Sequence, residues 1–92
     1  FEQLYFRGTA NGWQTVAMSL VANNTWQVSV SFDGQQDQRF KFDVNGDWSY
    51  NFGDNNSDGV VEQTGSDIYT DVVGDYIIEL NDATMQYQII AQ

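Results

Sequence analysis

The chain contains no cysteine, no histidine and no proline among its 92 residues. Without cysteine no disulfide can hold the fold. With neither cysteine nor histidine, the usual ligands of zinc and copper are gone. A serine or cysteine nucleophile would want a histidine base, so the familiar nucleophile–base pairs are excluded too. Lack of proline leaves edge strands to be guarded by something else, and charge is the expected guard. Basic residues are scarce: three Lys and Arg stand against thirteen Asp and Glu, for a formal net charge of −10. Phosphate backbones and anionic lipids both reward clustered Lys and Arg. Neither nucleic acid nor a membrane is therefore an expected partner. No apolar run is long enough to span a bilayer.

What is present is aromatic and alternating. Six Phe, five Tyr and three Trp argue against the disorder that so high a net charge would otherwise suggest. The length fits one domain over residues 1–92. A chain opening on Phe1 rather than Met is expected to be a segment of a longer, processed protein. Trp26, Val28, Val30 and Phe32 alternate with polar residues, as do Phe40, Phe42 and Val44, and then Tyr76, Ile78 and Leu80. This two-residue period reads as half-buried strands. Leu4 with Phe6, and Met85 with Tyr87 and Ile89, follow the same parity; Ala17–Val21, Trp48–Phe52 and Ile68–Thr70 are shorter candidates. Turn residues separate the runs, with Asn45-Gly46 the clearest hairpin signal. No segment carries a helical stripe. The pattern predicts an all-β, antiparallel, immunoglobulin-like β-sandwich of about seven to eight strands.

The candidate functional residues are aromatics outside the alternation. Trp13 follows the Asn11-Gly12 turn, and Trp48 follows Asn45-Gly46-Asp47 and is expected to open the next strand. An indole at a loop edge is an exposed apolar plate with one N–H donor. Sugar rings present apolar C–H faces to such plates, and their hydroxyls need polar groups at the rim. Lys41, Asn51, Asn55 and Asn56 supply those groups. Trp26 lies in clean alternation and is expected in the core. Catalysis is not expected, because paired carboxylates would need a deep cleft that a short sandwich rarely builds. Asp54, Asn56 and Asp58, with Gly59, match the first half of a calcium loop, but Gly65 stands where the closing carboxylate belongs. No cofactor is therefore expected, and calcium is only an incomplete match.

The order of these landmarks resembles one family. Leu4–Trp13 (LYFRGTANGW), Asn23–Phe32 (NNTWQVSVSF), Arg39–Asn55 (RFKFDVNGDWSYNFGDN) and Gly74–Ile89 together resemble starch- and glycogen-binding carbohydrate-binding modules. Such modules accompany bacterial amylases and pullulanases. The resemblance implies an immunoglobulin-like sandwich that binds α-1,4-glucan polysaccharide or maltooligosaccharide and has no activity of its own. By position, Trp13 and Trp48 match the two stacking indoles and Lys41 the polar residue of the hairpin strand. Asn55 and Asn56 fall where hydroxyl-binding groups often follow. The resemblance further implies a tethered catalytic domain and a secreted or bacterial cell-surface location. The rival expectation is a structural β-sandwich that packs on a neighbouring catalytic domain through its exposed aromatics.

Overall fold

Alternation makes each strand two-faced, and the faces of two sheets close on one another. The computed structural model describes all of residues 1–92. In chain order the strands are β1 (Tyr5–Gly8), β2 (Val16–Ala17), β3 (Ser19–Ala22), β4 (Thr25–Asp33), β5 (Arg39–Asp43), β6 (Asn51–Gly53), β7 (Glu62–Gln63), β8 (Ile68–Tyr69), β9 (Val73–Asn81) and β10 (Tyr87–Ala91). One 3-10 turn, Thr9–Asn11, follows β1. The first sheet runs β2-β1-β5-β6-β7, with β8 also pairing β5; the second runs β10-β9-β4-β3. Every pairing is antiparallel. The chain is thus an all-β sandwich.

The strand count is ten rather than seven to eight. Three of the ten, β2, β7 and β8, are only two residues long. The single candidate Ala17–Val21 divides at Met18, whose side chain is buried, and its halves join different sheets. Charge does not guard the edges of the second sheet. Neither β3 (SLVA) nor β10 (YQIIA) carries a charged residue, and Leu20 and Val21 of β3 are exposed.

The core draws on both inner faces. Phe6, Phe40, Phe42 and Phe52 from the first sheet meet Trp26, Phe32, Ile78 and Leu80 from the second. Phe40 is edge-on to both Phe42 and Tyr87, a preferred aromatic arrangement. Each of these large side chains contributes about 1.5–3 kcal/mol on leaving water. Trp26 is buried as its parity predicts, and its indole N–H donates to Asp82 at 3.0 Å. The longest pairing is β4 with β9, where Trp26 faces Leu80 and Val28 faces Ile78. With this inner layer filled, the outward residues of β1, β5 and β6 share the opposite face of the first sheet.

Candidate functional site

Because Phe40 and Phe42 point inward, Arg39, Lys41 and Asp43 of β5 share the outer face. Tyr5 and Arg7 of β1 do the same. The register sets Arg7 opposite Lys41 and Tyr5 opposite Asp43, and on the other side Asn51 faces Asp43. All three basic residues of the chain, Arg7, Arg39 and Lys41, therefore stand on one face of a molecule with a net charge of −10.

Two turns fold their tryptophans over this face. Gly12 and Trp13 both have φ near 65°, as in a type I′ turn, and Trp13 N–H donates to Gly8 O at 2.8 Å. Gly46 has φ 78° and Trp48 φ 67° in the loop joining β5 to β6. Trp48 therefore does not open a strand, because β6 begins only at Asn51. A bulky residue at positive φ is an outlier that costs roughly 1–3 kcal/mol, and such strain clusters at functional sites. Both indoles carry it, as Thr64 and Met85 do in turns elsewhere. The indole ring centroids are 6.0 Å apart and their planes are inclined by 53°. Trp13 is half-buried, whereas Trp48 is 37% exposed.

One ion pair holds both turns. Asp43 is fully buried and accepts hydrogen bonds from the N–H groups of Gly46 (3.0 Å) and Trp48 (3.1 Å). Arg7 Nη1 donates to the same carboxylate at 3.1 Å and to Gly46 O at 3.4 Å, while its Nε donates to Trp13 O at 2.7 Å. The guanidinium carbon then lies 4.3 Å from the centre of the Trp48 ring, within cation–π range. One arginine thus ties the Trp13 turn, the Trp48 loop and the strand between them. Lys41 Nζ donates to Asn51 Oδ1 at 2.6 Å, and Asn51 Nδ2 donates to Trp48 O at 2.9 Å. Among the three basic side chains, Lys41 alone has no carboxylate partner.

The sequence-predicted residues do not all meet. Trp13, Lys41 and Trp48 belong to this connected group. Asn55 and Asn56 share no hydrogen bond with it: Asn55 Oδ1 accepts from the N–H and hydroxyl of Ser66, and Asn56 N–H donates to Asp54. Tyr50, also an aromatic of the β5–β6 loop, is no part of the group and packs against Phe1 and Phe52. Sequence reading missed Arg7 and Asp43. Their outward parity was visible, but the cross-strand register that joins them was not.

The acidic loop forms a separate cluster. Asp54 is buried and takes four donors: N–H groups of Asn56 and Asp58 on one oxygen, and Gly59 N–H and the Tyr87 hydroxyl (2.7 Å) on the other. Desolvation pushes the Asp54 carboxyl up. The hydrogen bonds, that from Tyr87 foremost, outweigh it and lower the carboxyl from 3.8 to about 2. Burial and the facing Asp54 carboxylate push the Tyr87 hydroxyl well above its ordinary value. The residues able to hold a hard cation here are Asp54, Asp58 and Glu62, whose carboxylate oxygens lie within 4.8 Å of one another. Glu62 joins Asp54 and Asp58 of the expected loop in that set. The donors already on Asp54 occupy the lone pairs that an ion would use, so ion binding would require the Asn56–Gly59 amides to turn away.

A carboxyl lowered on folding stabilises fully above its unfolded value, and loses that contribution as pH falls through the folded one. The Asp54 contribution should therefore fade as pH falls from 3.8 towards about 2. Thermal melts across that window should fall more steeply for the wild-type domain than for Asp54→Asn. Parallel slopes would contradict the assignment.

No family model matches the chain, and comparison with curated proteins and with solved structures likewise gave no match.

Proposed function

We propose that this domain is a non-catalytic binding module for α-1,4-glucan: starch, glycogen or maltooligosaccharides. The observation that carries the reading is the Trp13–Trp48 pair, 6.0 Å apart and inclined by 53°, with both residues at strained positive φ. Two sugar rings of one chain can each lie on an indole. An inclined pair suits a ligand whose successive rings turn, as α-1,4-linked units do, better than a flat β-1,4 ribbon. Lys41, Asn51 and Arg7 provide a polar border for hydroxyls. The sequence resemblance to starch- and glycogen-binding modules narrows the sugar to α-glucan. The exposed apolar pair Leu20 and Val21 lies on the other sheet, apart from the indoles.

A site of this kind changes shape little on binding and gives modest affinity. Tethering to a catalytic domain, or repetition, would raise it. The module then holds an attached enzyme on its polymer, outside the cell or at a bacterial surface, because intact starch does not enter cells. Titration with maltoheptaose or β-cyclodextrin should change the tryptophan fluorescence, whereas cellohexaose should not. Silence towards the α-linked ligands at millimolar concentration would overturn the proposal.

A further inference from the structure

A third aromatic shares Arg39 with one of the two indoles. Tyr69 of β8 is 64% exposed, and the register sets it beside Arg39 of β5. Arg39 is fixed by two hydrogen bonds, from Nε to Asp67 at 2.9 Å and from Nη1 to Asp37 O at 2.9 Å. Held so, its guanidinium carbon is 5.6 Å from the Trp13 ring and 5.7 Å from the Tyr69 ring. Trp48, Trp13 and Tyr69 thus follow one another along the outer face, with Arg7 against the first and Arg39 between the second and third. A large aromatic that packs on so little gains almost nothing from burial, and the Tyr69 hydroxyl makes no hydrogen bond within the protein.

Beyond Tyr69 the surface is concave. A groove of about 580 Å³ runs between the β4–β5 loop and the residues after β8, and Tyr69 is the one apolar residue that lines it. Its other walls include Gln35, Gln36, Asp37, Thr70 and Asp71. That volume lies within the usual range of ligand sites. Amides, a hydroxyl and carboxylates without apolar walls suit a ligand rich in hydroxyls rather than an apolar or anionic one.

We propose that the sugar site continues past Trp13, with Tyr69 as a third stacking position and the Gln35–Asp37 groove taking the units that follow. The ligand is then a long oligosaccharide or an internal stretch of polymer rather than a di- or trisaccharide. This inference rests on the reading of the indole pair as a glucan platform.

Calorimetric titration of wild type, Tyr69→Ala and Trp48→Ala with maltotriose and with maltoheptaose tests it. Wild type should bind maltoheptaose more tightly than maltotriose. Tyr69→Ala should weaken maltoheptaose about three- to tenfold, the scale of one aromatic contact, and leave maltotriose unchanged. Gln36→Ala, an exposed loop change, should weaken maltoheptaose in the same selective way. Trp48→Ala should remove both ligands. Equal affinities for the two sugars in wild type, or a Tyr69→Ala variant that treats both as wild type does, would overturn the extension and leave the indole platform standing. Failure of wild type to bind either sugar would overturn both. Melting temperatures should be unchanged in Tyr69→Ala, so an unfolded variant would contradict the exposed placement of the ring.

Discussion

Trp48→Gly is expected to abolish glucan binding and to leave the domain about as stable as it was. The binding side of this result is direct. The substitution removes one of the two indole plates, and the remaining indole, Trp13, is half-buried. The stability side follows from opposing effects of similar size. Loss of the ring forfeits its Arg7 contact at 4.3 Å and the burial of the part that is not exposed. A partly exposed cation–π contact is worth about 0.5–1 kcal/mol. Against this, φ at residue 48 is 67°, and glycine adopts that conformation without steric cost. Trp48→Ala separates the two effects. It loses the same ring but keeps a Cβ at positive φ. It should bind as poorly as the glycine variant and be less stable by about 1 kcal/mol. Urea unfolding with parallel titration against maltoheptaose would check both. A glycine variant that unfolds would show that Trp48 is a structural plug and not a plate held out for a ligand.

Asp43→Asn should have the largest effect on stability of any single change at the site, lowering it by about 3 kcal/mol. The carboxylate is fully buried and takes three donors: Arg7 Nη1 and the N–H groups of Gly46 and Trp48. An amide keeps the shape but turns one oxygen into a donor that faces another donor, and it leaves Arg7 without its counter-ion. Binding should weaken as well, because the loop that carries Trp48 and the arginine that holds Trp13 are both released. Arg7→Lys should be milder. It keeps the charge but loses the forked geometry that reaches Trp13 O, Gly46 O and Asp43 together. In a double-mutant cycle the two changes should be strongly non-additive. Additive effects, or an unchanged urea midpoint in Asp43→Asn, would mean that the ion pair does not hold the turns.

These two results bear on how much of the site was legible in advance. Trp13 and Trp48 stood out because a large aromatic beside Asn-Gly lies where strands reverse, and reversal keeps a side chain out of the core. Lys41 is expected at the rim from its position in the resemblance, and it stands on the outward face of β5 beside Asn51. Asn55 and Asn56 were credited with rim contacts because they follow the hairpin in sequence. The chain uses the Asn55 side chain instead to close the acidic loop on Ser66, and only the backbone N–H of Asn56 is engaged, on Asp54. Short polar side chains readily satisfy nearby backbone, and this local bonding is invisible to spacing arguments. Tyr69 gave no signal, since it lies in a two-residue strand with no alternation to read.

Alternation alone carries the class of fold and the contents of the core. A two-residue period is a local property, and it sent Phe6, Phe40, Phe42, Trp26, Ile78 and Leu80 inward before any strand had a partner. It also placed the two indoles at turns and excluded the chemistries that need histidine, cysteine or clustered positive charge. Which outward residues meet depends on the pairing of strands distant in the chain. Arg7 faces Lys41, and Asp43 faces both Tyr5 and Asn51. Arg39 reaches Trp13 on one side and Tyr69 on the other. Register between strands far apart in the chain is set by the packing of whole faces, and a shift of one residue would turn every one of these side chains to the other side of the sheet. Parity is carried by each strand alone, whereas a site assembled across strands exists only once their register is fixed.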